Sequence, residues 1–331
     1  MKDSNELIWT SLVHISMNMW KEEDNPTAKG PSAWQYPGIP KIRFDEAMFD
    51  EHIRDLKAAG CNSVMLDLGD AIQYKSHPEI ACEGALTVEK AMEKFEEIKA
   101  MGMDIIPKLN FSSSHDHWMK DYSRMLSTPI YYQVVKDLID EVCDMLHPKY
   151  FHVGMDEETY GNQDGYNYVV IRQNDLWWHD FYYVVDCVEK NGARAIMWAD
   201  RAREDADEII AKCPRSVVMG AWYYFDQFQE PFDELCWVRV RPFTQLAEAG
   251  FDILACGSVE YFDDNLEKLT DYCKRKIVPE RLLGFAQTTW TATMPEWREK
   301  LDKGVISLRN SKLIYEGKME PLGNTGKACP L

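Results

Sequence analysis

The stretch YFHVGMDEE, residues 150–158, runs from an apolar segment into adjacent acidic side chains. Its first four residues are typical of a buried β-strand, and Asp156 and Glu157 follow shortly after. Adjacent acids after a strand have two common explanations. They begin the next helix, where the positive end of the helix dipole favours them, or they are working groups of an active site. The surrounding fold decides between these explanations.

Strand-like runs recur along the chain and alternate with segments of helical periodicity. The apolar runs lie at 8–16, 63–68, 104–109, 150–153, 195–198, 217–222, 253–256 and 283–287. Segments with one apolar helical face lie at 47–59, 88–101, 131–146, 175–188, 206–211, 243–249 and 266–276. This alternation predicts an α/β protein in which residues 1–331 form a single (β/α)8 TIM barrel. The alternative, an open doubly wound sheet, lacks support because no GxGxxG turn follows a strand.

Charge and cysteine content limit the partners and the compartment. The 55 acidic and 37 basic residues give a formal net charge of −18, which repels phosphate backbones and anionic lipid headgroups. We therefore expect neither nucleic acid nor a membrane as a partner. Nine cysteines without a CxxC pair favour buried reduced thiols. Because the N-terminus lacks an apolar signal core, we expect a cytoplasmic protein, or a secreted or periplasmic one if a signal has been removed.

Polar and aromatic side chains follow the predicted strands. Active sites of (β/α)8 barrels lie at the carboxyl ends of the strands, so these side chains are expected to meet at one mouth. Carboxylates bind sugar hydroxyls and indole rings pack on the apolar faces of sugars, so the set predicts a carbohydrate partner. It comprises Asn18, Trp20, Asp67, Asp70, Asn110, His115, Asp156, Glu157, Trp198, Asp200, Trp222, Tyr223, Glu260, Tyr261, Asp263 and Trp290.

The acidic pair is the strongest candidate within this set. On an extended backbone the side chains of Asp156 and Glu157 diverge, yet each remains close enough to feel the charge of the other. A neighbouring carboxylate raises the pKa of an acid, which suits a general acid at neutral pH. The position after the fourth strand favours this interpretation about as much as a helix start.

HVGMDE, residues 152–157, resembles the His-x-Gly-Gly-Asp-Glu motif on the fourth strand of glycoside hydrolase family 20, the β-N-acetylhexosaminidases. Upstream, IIPKLN at 105–110 followed by His115 is similar to the third strand of that family. Downstream, MWAD, GAWYY, EYFDD and QTTW occur in the order expected of strands five to eight. The resemblance covers about residues 60–295, and the combination of motifs is more specific than any one of them.

Membership of this family would imply hydrolysis of β-linked 2-acetamido sugars, with retention and with the acetamido group as nucleophile. The resemblance implies that Glu157 is the general acid and then the base, while Asp156 orients the acetamido group and stabilises the intermediate. No cofactor and no metal are implied. The residues implied to bind the substrate or to orient the acid are Asp70, His115, His152, Trp198, Asp200, Trp222, Tyr261, Asp263 and Trp290.

Three positions depart from the family pattern. The first strand reads HISMN at 14–18, without the arginine that grips the terminal sugar, and Trp290 is not followed by the usual acid. The third strand carries Lys108-Leu-Asn in place of Glu-Ile-Asp. Because the first strand begins almost at once, we expect a divergent, barrel-only member. Either its sugar specificity differs, or it binds a sugar without turnover.

Two alternatives concern the chemistry of the site. A retaining glycosidase could use Glu157 as acid/base and Glu260 as covalent nucleophile, with the two carboxyl groups about 5–5.5 Å apart. A carbohydrate-binding barrel without turnover would account for the missing arginine and the missing acid. The retained Asp156–Glu157 pair argues against a pure binding protein, which has no chemical need for it.

Two further hypotheses concern metal and assembly. His115, Asp116 and His117 place two imidazoles on one side of an extended segment, but no second ligand cluster has suitable spacing. Trp177 and Trp178 belong either to a homodimer contact or to a helix that packs on the barrel.

Overall fold

A computed structural model describes residues 6–19, 41–163 and 168–321 of the chain. Trp20, part of the predicted mouth, lies outside these ranges. Each strand of the closed barrel is parallel to the strand before it in the sequence, and the last strand closes onto the first through pairs such as Trp9 with Phe285. The strands are β1 Ile8–His14, β2 Ser63–Asp67, β3 Asp104–Lys108, β4 Tyr150–Gly154, β5 Arg194–Trp198, β6 Val218–Trp222, β7 Asp252–Ser258 and β8 Leu282–Thr288.

A helix follows each strand, which confirms the predicted (β/α)8 TIM barrel. The helices are α1 Glu46–Ala58, α2 Val88–Ala100, α3 Pro129–Leu146, α4 Asn174–Lys190, α5 Ala206–Lys212, α6 Glu234–Glu248, α7 Asn265–Lys276 and α8 Arg298–Tyr315. A single helical turn, Arg201–Glu204, precedes α5. A small two-stranded sheet, Ile72–Gln73 with Leu86–Thr87, lies between β2 and α2.

The periodicity of the sequence predicted a wrong start for α6 and missed α8. The prediction began α6 after Pro242, whereas Asp233 caps the helix by accepting from Cys236 N at 2.7 Å and Pro242 lies inside it. Helix α8 buries small residues, among them Gly304, Ser307 and Ser311, so it lacks a strong apolar stripe.

Two apolar cores hold the barrel together. The larger core lies between the strands and the helices, and Trp177 and Trp178 of α4 are buried in it. These two residues therefore belong to a helix that packs on the barrel. The smaller core fills the barrel interior with Leu12, Met65, Ile106, Ile196, Trp198, Val218, Leu254, Cys256, Leu283 and Ala286.

A buried charge cluster lies above this inner core, toward the carboxyl ends of the strands. Lys108 Nζ donates to Asp67 Oδ2 at 2.7 Å, and His14 Nδ1 lies 3.2 Å from the same oxygen. All three side chains are fully buried inside the barrel. Because inward-facing residues alternate along a strand, Lys108 stands one layer above Ile106 and beneath the mouth.

Two predictions about the chain as a whole can be compared with the structure. The eight cysteines of the described ranges are buried and carry free thiols, while Cys329 lies outside those ranges. Within the same ranges, no helix is both long and apolar enough to cross a membrane.

Candidate active site

The backbone after β4 takes an unusual path that sets the direction of the acidic pair. Gly154, Met155 and Glu157 have φ angles of 73°, 71° and 54°, in the left-handed region that non-glycine residues rarely adopt. The next helical segments are a short 3-10 turn, Gly161–Gln163, and α4. Asp156 and Glu157 therefore do not begin a helix, and the helix-start explanation is wrong.

Asn110, two residues after β3, fixes this backbone from the side. Its Nδ2 donates to Asp156 Oδ1 at 2.9 Å, and its Oδ1 accepts from the backbone nitrogens of Ser112 and Met155 at 3.0 and 3.3 Å. A Cβ atom on Gly154 would lie 1.8 Å from the same Oδ1. Glycine is thus required at position 154 so that Asn110 can approach.

His115 joins the two carboxylates. Its Nε2 lies 3.4 Å from Asp156 Oδ2 and 3.3 Å from Glu157 Oε2, so the side chains converge on one imidazole instead of diverging as the sequence analysis expected. Burial disfavours the charged ring, but the Asp156 charge and hydrogen bonds to both acids raise the pKa of His115 to about 10. His115 is therefore an imidazolium at neutral pH.

The acids of the site titrate far apart. Burial alone would raise the pKa of Asp156, but the charge of His115 and hydrogen bonds from His115 and Asn110 lower it to about 2. Asp200, after β5, accepts from Glu157 N at 3.0 Å through Oδ2. Burial and the charge of Asp156 raise the pKa of Asp200 to about 7. Of Asp156 and Asp200, it is Asp200 whose pKa a neighbouring carboxylate raises.

Aromatic rings line the barrel mouth. The Trp290 ring centre lies 6.2 Å from that of Trp198 and 5.6 Å from that of His14. Trp290 Nε1 donates to the hydroxyl of Tyr224 at 3.2 Å, and the Tyr224 and Trp222 ring centres are 5.0 Å apart. Trp222 and Trp290 are partly exposed, whereas Trp198 is buried beneath them.

A family model for the glycosyl hydrolase family 20 catalytic domain matches residues 78–303. The chain belongs to glycosyl hydrolase family 20. No significant match was found among curated protein sequences. The matched range contains Asp156, Glu157, His115 and the aromatic residues of the mouth, so the family assignment and the site involve the same part of the chain.

Solved structures of family 20 enzymes share the fold. A β-N-acetylhexosaminidase from Bacteroides fragilis aligns over 92% of this chain and 65% of its own, with 13% identity and a TM-score of 0.63. An exo β-N-acetylglucosaminidase from Vibrio harveyi, in complex with N-acetylglucosamine, aligns over 81% and 52%, with 15% identity and a TM-score of 0.60. A mutant β-hexosaminidase from Streptomyces plicatus, in complex with the product GlcNAc, aligns over 92% and 63%, with 12% identity and a TM-score of 0.59. The chain thus spans less than two thirds of the length of these structures.

His152 and Asp70, assigned by resemblance to the network around the acid, occupy different surroundings. His152 Nδ1 accepts from Gly154 N at 3.0 Å, and its ring centre lies 4.2 Å from that of Trp198. Burial and the charge of Lys108 lower the pKa of His152 to about 3, so the ring is neutral. Asp70 binds Asn18 Nδ2 at 2.9 Å, and burial raises the pKa of Asp70 to about 6. The hydrogen bonds of Asp70 therefore lead to the loop after β1.

Tyr261, Asp263 and Glu260 follow β7. Tyr261 is 51% exposed, and its ring centre lies 6.0 Å from that of Phe225 after β6. Asp263 pairs with Lys303 of α8 at 3.2 Å. The roles that the family resemblance implies for Tyr261 and Asp263 stay predictions.

The contacts of Glu260 test the alternative in which Glu260 is the covalent nucleophile of a retaining glycosidase. Its carboxylate forms an ion pair with Lys300 of α8, and its backbone nitrogen donates to Ser258 Oγ at 3.0 Å. An ion pair with Lys300 draws the carboxylate toward the helix layer, so these contacts do not favour that alternative.

Within the described ranges, one group of side chains has ligand atoms close enough to hold a metal ion. It consists of His115, Asp156 and Glu157, whose ligand atoms all lie within 4.8 Å of one another. The group includes neither Asp116 nor His117. The geometry therefore does not support a metal site formed by His115, Asp116 and His117. Burial raises the pKa of Asp116 well above its usual range, which makes it a poor cation ligand.

Several residues of the site were missed by sequence reasoning. Ser112 Oγ donates to the carbonyl of Asp156, and Ser114 Oγ donates to that of Glu157 at 2.6 Å. The run of serines after Asn110 was a visible signal for these contacts. Arg43, just before α1, donates to Met17 O at 2.9 Å and so brings a guanidinium to the loop after β1. No local motif indicated this contact.

Proposed function

We propose that this family 20 protein is a glycosidase that cleaves β-linked 2-acetamido sugars by a substrate-assisted, retaining mechanism. The observation that carries the proposal is the contact of His115 with both Asp156 and Glu157 at the carboxyl end of the barrel. One imidazolium holds two carboxyl groups side by side, one buried and one partly exposed. A substrate-assisted reaction needs two acids with different tasks in the same place.

The first step would use the two acids together. The acetamido carbonyl oxygen attacks the anomeric carbon while the bond to the departing oxygen breaks, and Glu157 gives its proton to that oxygen. Asp156 stays ionised because its pKa is about 2. It can therefore accept a hydrogen bond from the acetamido N–H and stabilise the positive charge that develops on the cyclic intermediate.

The second step would reverse the roles of Glu157. Now a carboxylate, it takes a proton from water, whose oxygen attacks the anomeric carbon and reopens the ring of the intermediate. Two displacements at the same carbon retain its configuration. The hydrogen bond from Glu157 N to Asp200 fixes the backbone of Glu157 during both steps.

The aromatic mouth would bind the sugar ring and its acetamido group. Trp222 and Trp290 offer partly exposed indole faces. Among the described residues, Trp198 Nε1 and His152 Nε2 are buried without a hydrogen-bond partner. His152 accepts at Nδ1 and is neutral, so its hydrogen lies on Nε2. A buried donor without a partner is costly, and an acceptor oxygen of a bound sugar would relieve that cost.

The test is hydrolysis of matched aryl glycosides: β-N-acetylglucosaminide, β-N-acetylgalactosaminide, β-glucoside and β-galactoside. We expect cleavage of the acetamido sugars alone, abolished by Glu157→Gln with ligand binding retained. Glu260→Gln is the matched control and should keep most activity. Cleavage of the plain sugars that is lost in Glu260→Gln would instead support a covalent nucleophile at position 260. Binding of N-acetylglucosamine with no hydrolysis of any substrate would identify a carbohydrate-binding barrel.

A further inference from the structure

Three arginines gather beside the mouth of a chain that carries a net charge of −18. Arg203, in the turn Arg201–Glu204, places its guanidinium carbon 3.5 Å from the ring centre of Trp222 and donates to Trp222 O at 2.6 Å. Arg239 of α6 lies 5.2 Å from the ring centre of Phe225. Arg241 donates to Arg203 O at 3.1 Å. We call Arg203, Arg239 and Arg241 the arginine cluster.

The side chains of the arginine cluster bind backbone oxygens. The hydrogen bonds of its three side chains go to carbonyl oxygens, and within the described ranges none of the three forms an ion pair with a carboxylate. Burial is the main cause that lowers the pKa of Arg203 to about 10. The charge of Asp200 opposes this shift, and the charge of Arg239 adds to it. The three arginines are partly buried, and like charges held together out of bulk water are unfavourable unless a counter-charge joins them.

The cluster lies next to the reacting groups. Arg203 N donates to Asp200 O at 2.8 Å, while the side chain of Asp200 accepts from Glu157 N at 3.0 Å. Trp222, on which Arg203 is stacked, is one of the partly exposed rings of the mouth. A group attached to a sugar at Glu157 could therefore reach the arginines.

We propose that the substrate carries an oxyanion, a carboxylate or a sulfate ester, and that Arg203 and Arg239 bind it beside Trp222. This inference rests on the proposed function. A guanidinium offers a planar fork of donors that matches the oxygens of both groups. Stacking on Trp222 and Phe225 holds the two forks before the ligand arrives, so little side-chain freedom is lost on binding. The first strand lacks the arginine that grips the terminal sugar, which agrees with a substrate that is bound by the arginine cluster instead.

Calorimetry on a Glu157→Gln background tests the site without relying on turnover. The probes are N-acetylglucosamine, N-acetylglucosamine 6-sulfate, and N-acetylglucosamine β-linked to glucuronate. We expect at least one anionic probe to bind about tenfold more tightly than the neutral sugar, as one charge-assisted hydrogen bond would allow. The sulfated and the glucuronate probes distinguish the two sources of the anion. The preference should weaken in about 0.5 M NaCl.

Substitutions assign the effect to the arginine cluster. Arg203→Gln and Arg239→Gln should each reduce the preference for the anionic probe several-fold, while Arg203→Lys should keep part of it.

Arg215 is the matched control, because its guanidinium carbon also lies over a ring, 4.1 Å from the centre of Phe251, and its side chain also binds carbonyl oxygens. It precedes β6, at the opposite end of the barrel from the mouth. Arg215→Gln should leave the preference unchanged. Equal affinity for neutral and anionic probes, or an equal loss in Arg215→Gln, would overturn the proposal. An anionic preference that depends on Arg203, without hydrolysis of any glycoside, would uphold it while refuting the proposed catalysis.

Discussion

His115 Nε2 lies 3.4 Å from Asp156 Oδ2, and this contact determines the charge state of both groups. The imidazolium lowers the pKa of Asp156 to about 2, and the carboxylate contributes to the pKa of about 10 for His115. Each group is ionised because the other is. The pair therefore works as one unit across the whole neutral range, and Asp156 carries a negative charge when a substrate arrives.

Replacing His115 by Gln should shift the pH dependence of hydrolysis. Without the imidazolium, burial is less opposed and the pKa of Asp156 rises. We expect the acidic limb of the kcat/KM profile to move to higher pH, with kcat reduced about 100-fold, the lower end of the effect of one positioned acid–base group. A profile that keeps its acidic limb in His115→Gln would show that the ring does not hold Asp156 ionised.

The same variant should reveal a stability effect with a defined pH window. The pKa of His115 is raised from 6.5 to about 10 on folding, so its contribution to the free energy of unfolding is fully present below pH 6.5. That contribution is lost as the pH rises through 10. The difference in Tm between the wild-type protein and His115→Gln should therefore shrink between pH 7 and pH 10.5.

Gly154→Ala should damage the site more than its backbone angle alone predicts. A left-handed backbone costs a non-glycine residue about 1–2 kcal/mol, and in addition the new Cβ would lie 1.8 Å from Asn110 Oδ1. Gly192 is the matched control, because it has a φ of 80° and a Cβ added there would have nothing within 4 Å. Urea unfolding should give about 1–2 kcal/mol for Gly192→Ala and more for Gly154→Ala. Hydrolysis should be lost in Gly154→Ala only. Equal unfolding costs and equal activities would mean that Asn110 does not need the space.

The fold could be predicted because its signals are local. Each barrel strand is an apolar run, and each of the eight strands lies within three residues of its predicted bounds. The two helix errors have physical causes. The predicted helix at 243–249 left out the part of α6 that precedes Pro242, a residue that α6 accommodates. Helix α8 packs small side chains instead of a wide apolar stripe.

The site could be predicted only in part. The position after the fourth strand pointed to Asp156 and Glu157, but the sequence could not show that Met155 and Glu157 adopt positive φ angles. The two acids converge on His115 because of that backbone and because β3 lies beside β4. The contact therefore joins residues that only the closed sheet brings together. The arginine cluster is non-local in the same way, since Arg203 and Arg239 come from different strand–helix units.

Lys108→Met should destabilise the barrel from within. Lys108 is the cation of a fully buried group, and its removal leaves Asp67 beside His14 without its closest positive partner. Breaking a buried pair in this way costs about 3–5 kcal/mol. The double variant Lys108→Met with Asp67→Asn should recover part of the loss, because it removes the uncompensated charge as well. An additive loss in the double variant, measured by urea unfolding, would show that the two side chains are not coupled.

Asp200→Asn should make the protein more stable at neutral and alkaline pH. The folded-state pKa of Asp200 is about 7, above its ordinary 3.8, so the ionised form is disfavoured in the native protein. The sign follows from proton binding: between these two pKa values the native state holds more protons than the unfolded state, and stability falls as pH rises. Asparagine keeps the acceptor for Glu157 N and carries no charge.

The gain in stability of Asp200→Asn should be absent near pH 4, grow through pH 7 and then level off. Asp144→Asn, on the exposed face of α3, is the control and should show no such rise. Urea unfolding of both variants at pH 4, 5.5, 7 and 8.5 measures the gain. A gain that does not change with pH across this range would show that the folded-state pKa of Asp200 is not raised to about 7.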